Sequence, residues 1–249
     1  MVVRVLVFLL FCGLPSLVSA EGESATNGTR IALANFDTDQ PLAFPQHWKV
    51  HGSEEVARHV YKVVAENGNQ YLRAYADKQD VQIGISRSFQ PKEFPALQWR
   101  WRAKQLPTGA NERAVKTNDS VAGVYVIFDS RLVPRAIKYV WSSSLPVGTR
   151  FTSPVYWRSR IVVLQSGPTQ ANEWKLETVN FYHDYKALFG TEPGEVLGFA
   201  ILTDSDVTNS VAEADYDDFA VLSEAAAAAS AEEGTRAAGP LPPAMVGGQ

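Results

Sequence analysis

Cysteine is almost missing from this chain of 249 residues; the single one is Cys12, inside an N-terminal apolar run. A chain cut behind Ala20 has no thiol, so disulfides, thiolate metal sites and a cysteine nucleophile are excluded. Basic charge is not in excess either: 23 Lys and Arg face 27 Asp and Glu, a formal net charge of -4. A nucleic-acid binder would carry a basic surface, so no nucleic acid is expected as a partner. Beyond the N-terminus no apolar run is long enough to cross a bilayer. The chain is therefore expected not to be integral to a membrane after signal cleavage. Catalytic signatures are missing as well. There is no G-x-S-x-G, no H-E-x-x-H, no phosphate-cradling glycine loop and no dinucleotide fingerprint. His183 and Asp184 are adjacent, but neighbours on a helix point about 100° apart, so spacing alone makes no dyad of them.

What is present starts at the N-terminus. Met1-Val-Val-Arg4, an apolar run to Phe11 and Val18-Ser19-Ala20 before Glu21 have the layout of a secretory signal peptide, residues 1–20. Export is the expectation. An exported domain without disulfides must be held by its core, and the remaining length suffices for one large β domain. Residues 21–29 are small and polar and read as a flexible leader. The folded domain is expected over 30–223. From 224 to 249 the chain is rich in Ala, then Gly and Pro. It is expected to be a disordered tail, with a helical turn or two at Ala225 to Ala229.

Between leader and tail lie many short strand patterns broken by turn residues. Tyr71 to Ala76 and Val60 to Val64 flank Glu66-Asn67-Gly68-Asn69. Asn-Gly favours positive φ at both central positions, the mark of a type I′ hairpin. Further strands are expected at 31–36, 81–89, 97–104, 121–128, 136–141, 160–165, 174–179, 196–203 and 216–222. So many short strands imply an all-β fold: a two-sheet antiparallel β-sandwich of jelly-roll type. One segment departs from the pattern. Phe181, Tyr185 and Leu188 share a helical face, Gly190 suits a C-cap and Pro193 follows, so one short helix is expected around 181–189.

The strand Leu97-Gln-Trp-Arg-Trp-Arg-Ala-Lys104 sends Leu97, Trp99, Trp101 and Ala103 to one side and Gln98, Arg100, Arg102 and Lys104 to the other. Three readings fit. The tryptophans are core and the arginines solvated; or Arg100 and Arg102 fork onto anionic groups of a ligand; or they pair with aspartates as scaffold. Ala136 to Trp141 alternates too, with Lys138 opposite Ile137, Tyr139 and Trp141. Lys138 either joins the same polar surface as Arg100 or snorkels to water. The expected ligand-binding set is Arg100, Arg102, Lys138, Tyr125, Asp119, Asp184 and Asp204. Burial of Trp99, Trp101, Tyr139 and Trp141 would count against their stacking on sugar rings.

Thr203-Asp204-Ser205-Asp206 ends an apolar strand, and two carboxylates at that spacing offer hard oxygens to Ca²⁺. An EF-hand it is not: Asn209 stands where Gly is needed. The plainer reading is an Asp-rich turn with Asx-type hydrogen bonds. Asp37 near the first strand and Asp217 near the last supply a second acidic set. A structural Ca²⁺, either at Asp204 and Asp206 or between the first-strand aspartates with Asp37 and the last-strand aspartates with Asp217, is the cofactor expectation.

Several motifs occur in a fixed order: Trp99-Arg-Trp-Arg102, Asn118-Asp119, Val124-Tyr-Val-Ile-Phe-Asp129, Ile137-Lys-Tyr-Val-Trp141, Asp184-Tyr-Lys-Ala-Leu-Phe-Gly190, Thr203-Asp-Ser-Asp206 and Tyr216-Asp-Asp-Phe219. Together they resemble an exported bacterial family known as domain of unknown function 3047, over residues 36–222. Phe36, Trp48 and the closing strand also resemble galactose-binding-like jelly rolls, which include carbohydrate-binding modules. The resemblance implies fold and export, with the periplasm favoured over the extracellular space. It implies no catalytic residues. Relative to the family pattern, Gly123 and Val179 stand where arginine is usual, and Val207 where asparagine is usual.

Three functions follow as expectations. The first is a noncatalytic module binding a glycan or another cell-envelope component. The second is a polysaccharide-active enzyme drawing on Asp119, Asp129, Asp184, Asp204 and His183. The third is a structural or interaction protein of the envelope.

Overall fold

The computed structural model of the chain describes residues 28–130 and 133–237. The expected signal peptide, the expected leader up to residue 27 and the expected tail beyond residue 237 lie outside them. In chain order the strands are β1 (Arg30–Ala34), β2 (Lys49–His51), β3 (Tyr61–Glu66), β4 (Asn69–Asp77), β5 (Gln82–Phe89), β6 (Ala96–Gln105) and β7 (Ala122–Phe128). They continue with β8 (Arg135–Ser142), β9 (Arg150–Thr152), β10 (Ser159–Ser166), β11 (Lys175–Asn180), β12 (Val196–Leu202) and β13 (Val211–Leu222). The helices are α1 (Glu54–Val60), α2 (Phe181–Phe189) and α3 (Glu224–Ala237).

The strands form two sheets, as alternation predicts. The smaller has six strands, ordered β11-β6-β13-β4-β3, with β1 also on β13. The larger has seven, ordered β2-β5-β12-β7-β8-β10-β9. β1 and β4 share one edge of β13 end to end: Arg30–Ala34 pair with its C-terminal part and residues 72–77 with its N-terminal part. One pairing breaks the antiparallel rule: β10 runs parallel to β8, after a connection that carries β9. The β3–β4 hairpin turns as expected, with Asn67 at φ 53 and Gly68 at φ 81.

The core lies between the sheets and is rich in aromatic rings. Trp99 and Trp101 of β6 are fully buried and meet Tyr139 and Trp141 of β8 at centroid distances of 5.9 and 6.1 Å. Each large ring buries on the order of 150–250 Å², which suits a domain that has no disulfide to rely on. α2 closes one end of this core. Asn180 caps it by accepting from the His183 N–H at 2.9 Å, and Gly190 ends it at φ 68. Its Phe181 and Tyr185 pack on Phe128, at 6.0 and 4.7 Å.

Three features depart from the sequence expectation. α1 is capped by Ser53, whose Oγ accepts from Val56 N–H at 3.3 Å. β2 and β9 are edge strands of three residues each, too short to show a period. The stretch from Glu224, expected to be disordered, is helical over Glu224–Ala237. Its alanine content favours helix, and it is tied down: Gln98 Nε2 donates to Ser230 Oγ at 2.6 Å and Asn180 Nδ2 to Glu224 Oε2 at 3.3 Å.

Candidate functional site

The outer face of the larger sheet is built by strand pleat. Ile83, Ile201, Val124 and Tyr139 point into the core, so their neighbours point out. Register then sets Gly84, Ala200, Tyr125, Lys138 and Ile161 in one row across five strands. The next row runs Leu202, Gly123, Val140. Pairing of Ile83 with Ile201 and of Asp80 with Asp204 extends that row by placing Gln82 opposite Leu202. Glycine and alanine make much of this floor, and every residue of the two rows is buried.

Polar groups gather at one end. Lys138 is only 4% exposed, yet its Nζ donates to Ser120 Oγ at 2.7 Å and lies 5.4 Å from the Tyr125 ring centre. Burial opposes its charge, but Tyr125, Asp204 and Glu112 more than offset that and hold its pKa above the ordinary lysine value. Gly123 makes room: a Cβ there would stand 2.7 Å from Lys138 Cε. Gln82 is 4% exposed and its Nε2 has no hydrogen-bond partner among the described residues. Glu112, fully buried, accepts from Ser142 Oγ at 2.7 Å with Oε2, while Oε1 has no hydrogen-bond partner among the described residues. Burial raises its pKa.

Asp119 precedes β7 and Asp204 follows β12, so the adjacent strand ends bring them together. Asp119 Oδ2 accepts from Thr208 N–H at 2.7 Å and Oδ1 from Val207 N–H at 3.4 Å. Asp204 is 5% exposed. Burial pushes its carboxyl well above the usual range; Lys138 opposes this, while Asp119 and Asp206 add to it. Burial and Asp119 likewise raise Asp206. The loop is pinned by Asp204 N–H to Ser120 O at 3.1 Å and Ser205 Oγ to Ala76 O at 2.9 Å.

Four expected site residues thus meet here: Tyr125, Lys138, Asp119 and Asp204. The others do not. Asp184 sits on α2, accepting from Tyr139 Oη at 2.9 Å and pairing with Arg150 at 3.3 Å. Arg100 and Arg102 are on the outer face of the smaller sheet. Arg102 Nη2 lies 2.6 Å from Asp215 Oδ2 and 3.2 Å from Glu66 Oε2. Arg100 Nη2 lies 2.7 Å from Asp217 Oδ2 and its Nε 2.7 Å from Asp218 Oδ2. Trp174 lies beneath both guanidinium groups, at 5.2 and 4.8 Å. This arrangement matches the scaffold reading, since strand register puts Arg73, Asp215 and Arg102 directly opposite one another.

Of the two expected calcium sets, the one around Asp37 and Asp217 does not assemble among the described residues. Asp217 is taken by Arg100 and by Asn69 Nδ2 at 2.9 Å on the smaller sheet, and Asp37 accepts from Asn35 at 3.0 Å. Asp204 and Asp206 instead join Asp119, their carboxylate oxygens all within 4.8 Å. Of the enzyme candidates only Asp119 and Asp204 come together. Trp99, Trp101, Tyr139 and Trp141 are all fully buried, so none of them stacks on a sugar. Gln82, Glu112 and Ser120 were missed by the sequence reading. A polar residue on the outward phase of an otherwise apolar strand, as in Gln82-Ile-Gly-Ile85, is the one signal that pointed to Gln82.

A β-sandwich with a strip of incompletely bonded polar groups on one outer face is the class these features define. The chain belongs to the family described as protein of unknown function (DUF3047), whose model matches residues 46–220. Among curated proteins none matches the sequence. Solved structures similar in arrangement include a family 30 carbohydrate-binding module of a cellulosomal cellulase of Clostridium thermocellum: 10% identity, 79% of this chain and 98% of that chain, TM-score 0.43. Another is endoglucanase 3 of Trichoderma harzianum, from family GH12: 12% identity, 80% and 100% coverage, TM-score 0.39. Scores this low carry nothing about a ligand for this chain.

Proposed function

We propose that this chain is a noncatalytic binding domain, and that a glycan of the cell envelope lies on the outer face of its larger sheet. The observation that carries the reading is Gln82 Nε2, a buried amide donor without a partner on the described residues. A buried unbonded donor costs about 1–3 kcal/mol, and a ligand hydroxyl would recover that. Gln82 and Gly123 lie in one row with β12 between them, a span of about 10 Å at ~4.8 Å per strand. Lys138 leans over Gly123, so the two donors lie in adjacent rows of one sheet face, each residue only 4% exposed. Asp119 is fully buried and bonded to the Thr208 loop, which suits a structural role better than that of a nucleophile.

Export to the periplasm is part of the proposal and rests on the layout of residues 1–20. Fractionation of cells expressing the full chain tests it; retention in the cytoplasm with an uncut N-terminus would contradict it. The glycan reading is tested by a thermal-shift panel of neutral and acidic glycans on the mature domain. Saturable stabilisation by a glycan is expected. No shift with any of them, alongside capture of a specific envelope protein, would favour the interaction-protein reading.

A further inference from the structure

We propose that Asp119, Asp204 and Asp206 bind a calcium ion at the end of the larger sheet. Their carboxylate oxygens lie within 4.8 Å of one another, and only Asp206 is exposed. Three carboxylates this close repel when ionised; a proton held on buried Asp204 relieves that, and a cation among them would take the proton's place. Lys138 offsets part of this repulsion at Asp204, while its Nζ bonds Ser120 Oγ at 2.7 Å. A second observation points inward. Asp204 is 5% exposed and its Oδ1, a buried carboxylate oxygen, has no hydrogen-bond partner among the described residues.

The donor set is all oxygen, which selects a hard cation. Calcium fits better than magnesium. It accepts irregular carboxylate arrangements with waters completing the shell, whereas magnesium requires near-ideal octahedral geometry. The site is built before the ion arrives. Asp119 is held by Thr208 N–H at 2.7 Å, and Asp204 by its own N–H to Ser120 O at 3.1 Å. Exposed Asp206 gives the ion its way in.

The test is calcium chloride added to chelator-treated mature protein, with no glycan present, so its outcome is independent of the glycan reading. Melting should rise by roughly 5–10 °C when free calcium reaches about a hundred times Kd. Asp206→Asn, at an exposed position, should melt at or above the calcium-free wild type, because it removes one of the mutually repelling carboxylates, and should lose the shift. Terbium should give luminescence on tyrosine excitation in wild type, through Tyr125, and not in Asp206→Asn. No shift at millimolar calcium, an equal shift with magnesium, or an undiminished shift in Asp206→Asn would each overturn the assignment.

Discussion

Gly123 and Lys138 fit together because one of them has no side chain. The lysine crosses the glycine so closely that a Cβ would stand 2.7 Å from its Cε, and this brings Nζ to Ser120 Oγ at 2.7 Å. Gly123→Ala should therefore swing the lysine off Ser120. The obstructed atom ends a flexible side chain, so stability should change by under about 1 kcal/mol. Glycan affinity should fall about tenfold or more, the worth of one charged hydrogen bond. Gly198→Ala is the control. Its Cβ would meet Ile85 O, a backbone atom, and the cost should approach 3 kcal/mol. Urea unfolding and glycan titration of both variants check the contrast; equal destabilisation would contradict it.

Arg102 and Asp215 predict a different behaviour for the smaller sheet. Asp215 is fully buried and takes Arg102 Nη2 at 2.6 Å. Arg102→Ala should cost about 3 kcal/mol, less whatever Arg73, 2.8 Å away on Oδ1, retains. Glycan affinity of the folded variant should match wild type. A stable variant that loses binding would return the arginines to the ligand face.

Asp217 supplies a pH signature. Burial raises its carboxyl to about 6, with Asp218 adding and Asn69 and Arg100 opposing. The unfolded value is about 3.9. Between about pH 4 and 6 the folded state therefore holds more proton than the unfolded one. This group's contribution is full below pH 4 and is lost as pH rises through 6. Asp217→Asn should flatten that decline by up to one proton. Urea midpoints at pH 4.5, 5.5 and 6.5 test it, and parallel profiles for the two proteins would contradict it.

Short-range chemistry was legible in the sequence. Period two in β6 assigns Trp99 and Trp101 to the core, where both are fully buried. Asn67-Gly68 gives its turn, and Asn180 and Gly190 bound α2. What was not legible is which strands become neighbours. Arg102 and Asp215 are 113 positions apart, and Lys138 and Ser120 meet only because β7 and β8 pair. Asp119 joins Asp204 only through the pairing of β7 with β12, which no spacing in the sequence reveals. The helix at Glu224–Ala237 was read from composition as disordered, although Ser230 docks on Gln98.

The central claim is that an unsatisfied polar group on the larger sheet is kept for a ligand. Gln82→Leu tests it most directly. Removing a buried donor that has no partner relieves its desolvation, so the variant should melt at or above the wild-type temperature. Calorimetric titration with the glycan found in the thermal-shift panel should show its affinity reduced about tenfold or more. Affinity equal to wild type in Gln82→Leu would contradict the assignment of this face.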